Sequence, residues 1–398
     1  MDYETYALKD IGDIVSGATP KTSDSGNFGG DIAWLTPADL SEYSEKYISH
    51  GARNITQKGY DSCSTQLMPP GTVLFSSRAP IGYVTIAKNP VCTNQGFKSI
   101  VPKPFVNSEF LYYQLVYLRK SIQDMGSGTT FKEISAKKFG TVQVKIPSLL
   151  EQERIVSRIE ELFSQLDASV NELKTAKERL KVYRQAVLKE AFEGDYPRIQ
   201  LKEISNAISG YAFKSKLYTP TGKYVVVKIG NVKERYLDFS RDLTYTNESD
   251  GTILDKYLLQ CGDCLITLTG SRGKRDYGFV TMITDQTNYL LNQRVAAIRF
   301  NREKALPEFF QYYLTSPAYR NVFFSYETGN VGQGNVGIKA LTEPTVILPN
   351  IEQQRQIVEK IESHLSVCDS IEKTVDTALQ QAEALRQSIL KKAFEGGN

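Results

Sequence analysis

The 398-residue sequence predicts a mixed α/β protein built from two copies of one unit, each a globular domain followed by a long helix. Three observations carry this. Residues 184–194 (RQAVLKEAFEG) recur as RQSILKKAFEG at 386–396; the offset of 202 aligns 146–194 on 348–396 without a gap, and 18 of the 49 positions are identical. Both stretches space apolar or small residues by three and four, the mark of a helix with one apolar seam. The segments ahead of them hold short β-rich runs broken by Gly, Pro, Asn and Asp.

In chain order, the first domain predicts strands near 72–76, 83–86 and 98–101 and a Tyr- and Phe-rich helix near 109–122, its aromatics read as core. The first long helix starts about residue 151 and runs without proline or glycine to 193, where Gly194 and Pro197 stop it. Its seam is Ile155, Ile159, Leu162, Leu166, Val170, Leu173, Ala176, Leu180, Tyr183 and Val187. The second domain predicts strands near 224–229, 264–268, 279–283 and 295–300 and one aromatic-rich helix over 307–324. The second long helix, ended by Gly396, carries Ile357, Ile361, Leu365, Cys368, Ile371, Val375, Ala378, Ala382, Leu385 and Ile389. Some 40 residues of helix span roughly 60 Å. A helix of that length with a narrow seam needs a partner as long as itself, and the other copy supplies one, giving a coiled-coil pair; the alternative is that each helix packs on its own domain. Fainter parallels extend the repeat through the domains: LKDIGDIVSG (8–17) with LKEISNAISG (201–210), 67–75 with 258–266, Asn94-Gln95 with Asn292-Gln293, and Glu109-Phe110 with Glu308-Phe309.

Little catalytic chemistry is available. There are two histidines, and His364 falls on the second helix where the first copy has Leu162, so it reads as a seam or flank residue. A Ser-His-Asp triad or a His-rich metal site has almost no material. Cys261-x-x-Cys264 is a single pair whose thiols, in a strand, point to opposite faces, which argues against zinc. Gly270-Ser-Arg-Gly-Lys-Arg has two residues between its glycines where a phosphate loop has four, and Arg275 where that loop has Ser or Thr. No GxGxxG follows a predicted strand. With 41% hydrophobic and 23% charged residues, no 18-residue apolar run, an N-terminus unlike a signal peptide, and five scattered cysteines, the expectation is a cytoplasmic protein with reduced thiols and no membrane contact.

The net charge of +3 is unevenly shared. Residues 1–150 hold 15 basic against 13 acidic side chains and 195–349 hold 19 against 15, whereas 151–194 hold 8 against 9 and 350–398 hold 6 against 8. Basic domains and acidic helices are the distribution expected if the domains face phosphates. Basic and amide side chains also gather in predicted loops, where they can hold phosphates or read base edges. The candidates are Lys21, Thr22, Arg78, Gln95, Thr129 and Lys132 in the first domain, and Lys216, Arg272, Lys274, Arg275, Arg294 and Gln333 in the second.

The stretches SGATPKT (16–22), GGDIAWLTPADL (29–40), RAPIGYVTI (78–86), TNQGF (93–97), SGTTFKEIS (127–135) and IPSLLEQERIV (146–156) carry a resemblance. ISGYAFKS, LNQRVA and LPNIEQQRQIV echo it in the second half. Over essentially its whole length the chain resembles the specificity subunit of type I restriction–modification enzymes. The Pro-x-x-x-x-Gln-x-x-Ile-Val helix start, present twice, is the most specific feature; the second half departs by reading VVVKIGNVKE where the first has the Trp-x-Thr-Pro stretch. The resemblance implies two target recognition domains (1–147 and 195–349), each reading one half of a bipartite, asymmetric double-stranded DNA target. Two spacer helices (148–194 and 350–398) would pack antiparallel in a pseudo-twofold arrangement. It implies a noncatalytic subunit joined by two modification subunits, adenine methyltransferases using S-adenosylmethionine, and by two ATP-driven, Mg-dependent restriction subunits. The same residues would suit the target-recognition subunit of a modification-only or other defence complex; a protein-binding scaffold is the remaining alternative.

Overall fold

A computed structural model describes residues 4–128, 132–285, 288–330 and 332–395. The chain divides into two compact units, Met1–Leu173 with Thr377–Asn398, and Lys174–Asp376, so that each takes one globular domain and a part of each long helix. The cuts fall inside the helices, away from the domain boundaries read from the sequence.

In the first unit a five-stranded sheet has the order Gly12–Ser16, Lys98–Pro102, Val73–Phe75, Val84–Ala87, Tyr47–Ile48, antiparallel except for the last pair. Beside it Trp34–Leu35 pairs in parallel with Cys92–Thr93. The helix Ser108–Asp124 starts at Asn107, whose Oδ1 accepts from the Glu109 and Phe110 N–H groups. Its Phe110, Leu111, Leu115 and Ile122 join Phe75 and Ile86 of the sheet in one core.

The second unit repeats this plan. Ser205–Ser209, Val295–Phe300, Cys264–Thr267 and Val280–Met282 form a four-stranded antiparallel sheet, and Tyr224–Val227 pairs in parallel with Tyr289–Leu291. The single helix expected over 307–324 is two, Pro307–Thr315 and Pro317–Ser325. Ser316 is extended (φ −64°, ψ 151°) because proline clashes with a helical residue ahead of it, and the Ser316 Oγ then caps the second helix. The aromatics of both helices are core as expected, with Phe309, Phe310, Tyr319 and Phe323 essentially inaccessible. Cys261 lies before its strand rather than in it; the strand begins at the buried Cys264.

Backbone hydrogen bonds confirm the faint parallels residue by residue. Gly71 and Gly262 share a left-handed turn (φ 83° and 89°) that only glycine adopts freely, and their N–H groups donate to Ala87 O and Ile283 O. The divergent VVVKIGNVKE stretch occupies the place of WLTPADL: Asn94 N–H donates to Leu35 O and Asn292 N–H to Val227 O, and Asp39 and Asn231 each cap a 3-10 turn by accepting from the residue three before, Thr36 or Lys228.

The long helices run Leu149–Ala191 and Ile351–Glu395. In each unit they pair antiparallel and also enter the domain core, so both arrangements weighed from the sequence occur together. Asp167 pairs with Arg386 in the first unit, and Arg184 with Asp369 at 2.7 Å in the second; both residue types are repeat identities. The seam read from spacing holds at Ile159, Val187, Ile361, Leu365, Cys368 and Val375, all buried, and widens at the helix ends. Val358, Leu188 and Leu390 are buried, whereas Tyr183, Ile371 and Leu385 are exposed, since the helix ends turn toward a domain as well as toward each other. The repeated glutamine is wholly buried in both copies. Gln152 Oε1 accepts from Asn107 N–H (2.7 Å) while its Nε2 donates to Phe105 O and Pro147 O; Gln354 makes the same three bonds with Leu306, Lys304 and Pro349. The repeated AFEG places Phe394 on Phe110 and Tyr117, and Phe192 on Phe309 and Tyr313.

Candidate nucleic-acid interface

In the first domain the stretches that carry the resemblance, far apart in sequence, are hydrogen-bonded into one loop cluster. Ala18 N–H donates to Thr93 O, Ser77 N–H to Gly96 O (2.7 Å), and Ile134 N–H to Ser77 O. Thr19 Oγ1 donates to the Gln95 side chain. A Cβ on Gly17 would stand 2.0 Å from Thr93 O, so only glycine lets the SGATP and TNQGF loops touch. Gln95 and Lys132 are exposed, while Arg78 is half-buried and reaches Glu133 at 3.2 Å. Lys21 and Thr22 are exposed on the adjoining loop, anchored where Asn27 Nδ2 donates to Lys21 O. Thr129 lies outside the described residues. Beneath the loops is a residue the sequence reading missed. Lys98 is 7% exposed, with Nζ 3.9 Å from Glu133 and donating to Gln95 O and Phe97 O. Burial holds its ammonium below the usual lysine range, against the pull of Glu133 and helped by the Arg78 charge.

The second domain builds the same scaffold and fills it differently. Gly210 stands as Gly17 does, a Cβ there meeting Asn292 O at 1.9 Å. Leu268 N–H donates to Arg294 O and Val336 N–H to Leu268 O, repeating the Ser77–Gly96 and Ile134–Ser77 bonds, so Arg294 takes the place of Gly96. Thr269–Ser271 and Glu327–Thr328 flank Gln333–Val336 in a three-stranded sheet; Gln333 pairs with Ser271, and Arg272, Lys274 and Arg275 lie in the turn that follows. Arg272 Nη1 donates to Gly329 O (2.8 Å), with Glu327 4.0 Å away. The Arg275 guanidinium lies 5.1 Å from the Phe324 ring centre. Lys274 and Arg294 are exposed and form no ion pair among the described residues. Lys216 stands apart, exposed on the turn Ser215–Leu217.

Arg275 (φ 51°) and Arg294 (φ 69°) have left-handed backbones, as does Arg235 (φ 69°), a conformation that costs a non-glycine residue about 1 kcal/mol. Arg320, also missed from the sequence, braces this turn by donating to Arg275 O, Tyr277 O and Gly278 O. The first domain has no non-glycine residue of positive φ among its described residues. The second thus holds arginines in tight loop geometry where the first presents amides and a paired arginine. The only sequence signal for this was the density of Arg and Lys in 271–275.

Comparison with known proteins gives a consistent result. The family model described as the type I restriction modification DNA specificity domain matches twice, over residues 1–178 and 193–381. The type I restriction enzyme MjaIX specificity subunit of Methanocaldococcus jannaschii is 46% identical over 158 residues, 39% of this chain and 37% of that one. The EcoKI specificity subunit of Escherichia coli K12 is 27% identical over 300 residues, 70% of this chain and 62% of that one. These matches thus span under two thirds of the length of either relative. Among solved structures, a chain from work on complex assembly and conformational transition of the type I R-M system superposes with a TM-score of 0.75 at 15% identity, covering 98% of this chain and 97% of that one. The HsdS subunit of Thermoanaerobacter tengcongensis gives 0.60 at 16%, covering 100% and 97%. At such identity these likenesses speak for the fold alone. With both halves matched by one family model, the chain belongs to the type I restriction–modification specificity subunit family.

Proposed function

We propose that the chain is a noncatalytic DNA reader whose two domains each recognise one half of a bipartite, asymmetric target. The paired helices set the gap between the halves and dock modification subunits. The methyl donor S-adenosylmethionine, and the ATP and Mg of a restriction subunit, belong to those partners.

The observation that carries this reading is one loop scaffold used twice with different side chains at matching places: Gly96 against Arg294, and the short 78–81 turn, closed where Gly82 N–H donates to Ser76 O, against the longer basic 269–277 turn, closed where Gly278 N–H donates to Thr267 O. Phosphate contacts position a protein on DNA and base contacts specify sequence. A shared scaffold with exchanged polar tips fits two readers of unlike half-sites. Exposed Lys274 and Arg294 suit phosphate or base contact, while Arg272, held against Gly329 O, is oriented for a directional one. A pair of stiff helices holds a register that a flexible linker cannot.

The test is to replace residues 195–349 with the corresponding domain of another family member and map methylated adenines in DNA modified by the assembled complex. One half of the recognised sequence should change and the other, with the gap, should stay. Change in both halves, or in neither, sinks the reading. Lys274→Ala should weaken binding to all sequences alike and lower the salt slope by about one, read by titration at several salt concentrations.

A further inference from the structure

The 202-residue repeat makes two grooves, one along the helix pair in each unit, counterparts of one another, and they differ in kind. In the first unit the groove between 151–169 and 385–393 encloses about 860 Å³. Its wall is apolar, with Leu162, Leu166, Ile389 and Leu385, the last 50% exposed. In the second unit the matching stretch between 183–191 and 360–364 leaves about 80 Å³. There Tyr183 stands for Leu385, His364 for Leu162, Lys360 for Arg158 and Glu190 for Lys392. Tyr183 Oη lies 3.0 Å from His364 Nδ1, and Lys360 Nζ 3.0 Å from Glu190 Oε1, two polar pairs across the groove.

The open groove also has a charge. Arg154 and Arg158 line it, paired with Glu151 at 3.1 Å and Glu161 at 2.5 Å, and Lys392 on the facing helix has no ion pair among the described residues. Exposed Leu385 and half-buried Leu162 and Leu166, beside the unpaired Lys392, fit an amphipathic helix with apolar anchors at i, i+3 or i+4 and i+7 and a carboxylate on its flank. A second copy of this groove would set cation against cation, and duplex DNA gains nothing from the apolar wall.

We propose that the open groove is the first docking site for such a helix of the modification subunit. The latched counterpart then receives the second copy only after Tyr183–His364 and Lys360–Glu190 separate. This rests on the docking reading above. It makes the two partner sites unequal and assigns the inequality to four side chains.

The experiment is a titration of the full chain with purified modification subunit, read by native mass spectrometry and calorimetry. Two steps are expected, separated by roughly ten-fold or more in affinity. Leu385→Glu, at a half-exposed position and checked for unchanged melting, should remove the tighter step and leave the weaker. Leu162→His with Leu385→Tyr, which copies the latched unit, should do the same with less disturbance of packing. Tyr183→Leu with His364→Leu should tighten the weaker step toward the first. Equal steps in the parent, or either groove variant leaving both steps in place, overturns the proposal. Self-association of the chain alone that Leu385→Glu abolishes overturns it in favour of a second copy. Failure of the parent to bind any modification subunit overturns the docking reading itself.

Discussion

The two globular domains share a backbone and differ in what they show. Four strands of one sheet match the four of the other in order, their parallel strand pairs coincide, and several loop hydrogen bonds recur. The exposed side chains on those loops have diverged: Arg78 is neutralised by Glu133 and Lys98 is buried in one, while Lys274 and Arg294 reach solvent in the other. The clearest repeated side chains in the core are those that hold backbone groups. Gln152 and Gln354 are identical because each satisfies three backbone groups in the core, and an unsatisfied buried polar group costs more than a hydrogen bond gains.

If the scaffolds are equivalent, paired substitutions must have paired costs. The largest effect should come from the AFEG phenylalanines. Phe192→Ala and Phe394→Ala each open a cavity among aromatics and should destabilise their own unit by about 3–4 kcal/mol, measured by urea unfolding with hydrogen exchange to locate the loss. Costs that differ severalfold would break the equivalence. Gln152→Leu and Gln354→Leu come next, at about 3 kcal/mol each, because the Asn107 or Leu306 N–H and two carbonyls lose their partners.

One residue sharpens the difference instead. Burial raises the Glu234 carboxyl above the usual carboxylate range, against the attraction of Arg320. A folded-state pKa above the unfolded one means the folded protein holds the extra proton, so stability falls as pH rises from the ordinary carboxylate range through the raised value, and the full cost stands above it. Glu234→Gln should therefore be more stable than the parent at pH 8, with the gap closing as pH falls toward 4, followed by thermal melting; a gap that widens toward acid contradicts this. The smallest effect belongs to the reciprocal ion pairs. Arg184→Ala and Arg386→Ala should each cost under about 1 kcal/mol and less at high salt, because Asp369 and Asp167 are more than half exposed.

Much of this was legible along the chain. Helix periodicity and the absence of Pro and Gly located both long helices, and β-rich runs between turn residues located the central strands, because these signals are local. The break at Ser316 was missed although Pro317 announced it, since the aromatic pattern continued across it. The candidate interface was read in part. Arg272, Lys274 and Arg275 lie in the turn that follows Thr269–Ser271, whose Ser271 pairs with Gln333, yet Lys216 does not join them. The pairing of Arg78 with Glu133 spans 55 residues and leaves no local trace. The positive φ of Arg275 and Arg294 had no signal either, as glycine is the residue that usually marks it.

By itself, the sequence determined that one unit is built twice, that each copy ends in a long seamed helix, and that the loops between strands are rich in Arg, Lys, Asn and Gln. Tertiary structure alone decided that each AFEG enters a core beside the start of the other long helix, that the exposed seam positions are Tyr183, Ile371 and Leu385 rather than the whole seam, and that one groove stays open while its counterpart is bridged by two polar pairs. The reason is physical. Periodicity specifies which residues share a face of a helix, but which surface covers that face depends on groups that meet only when distant segments come together.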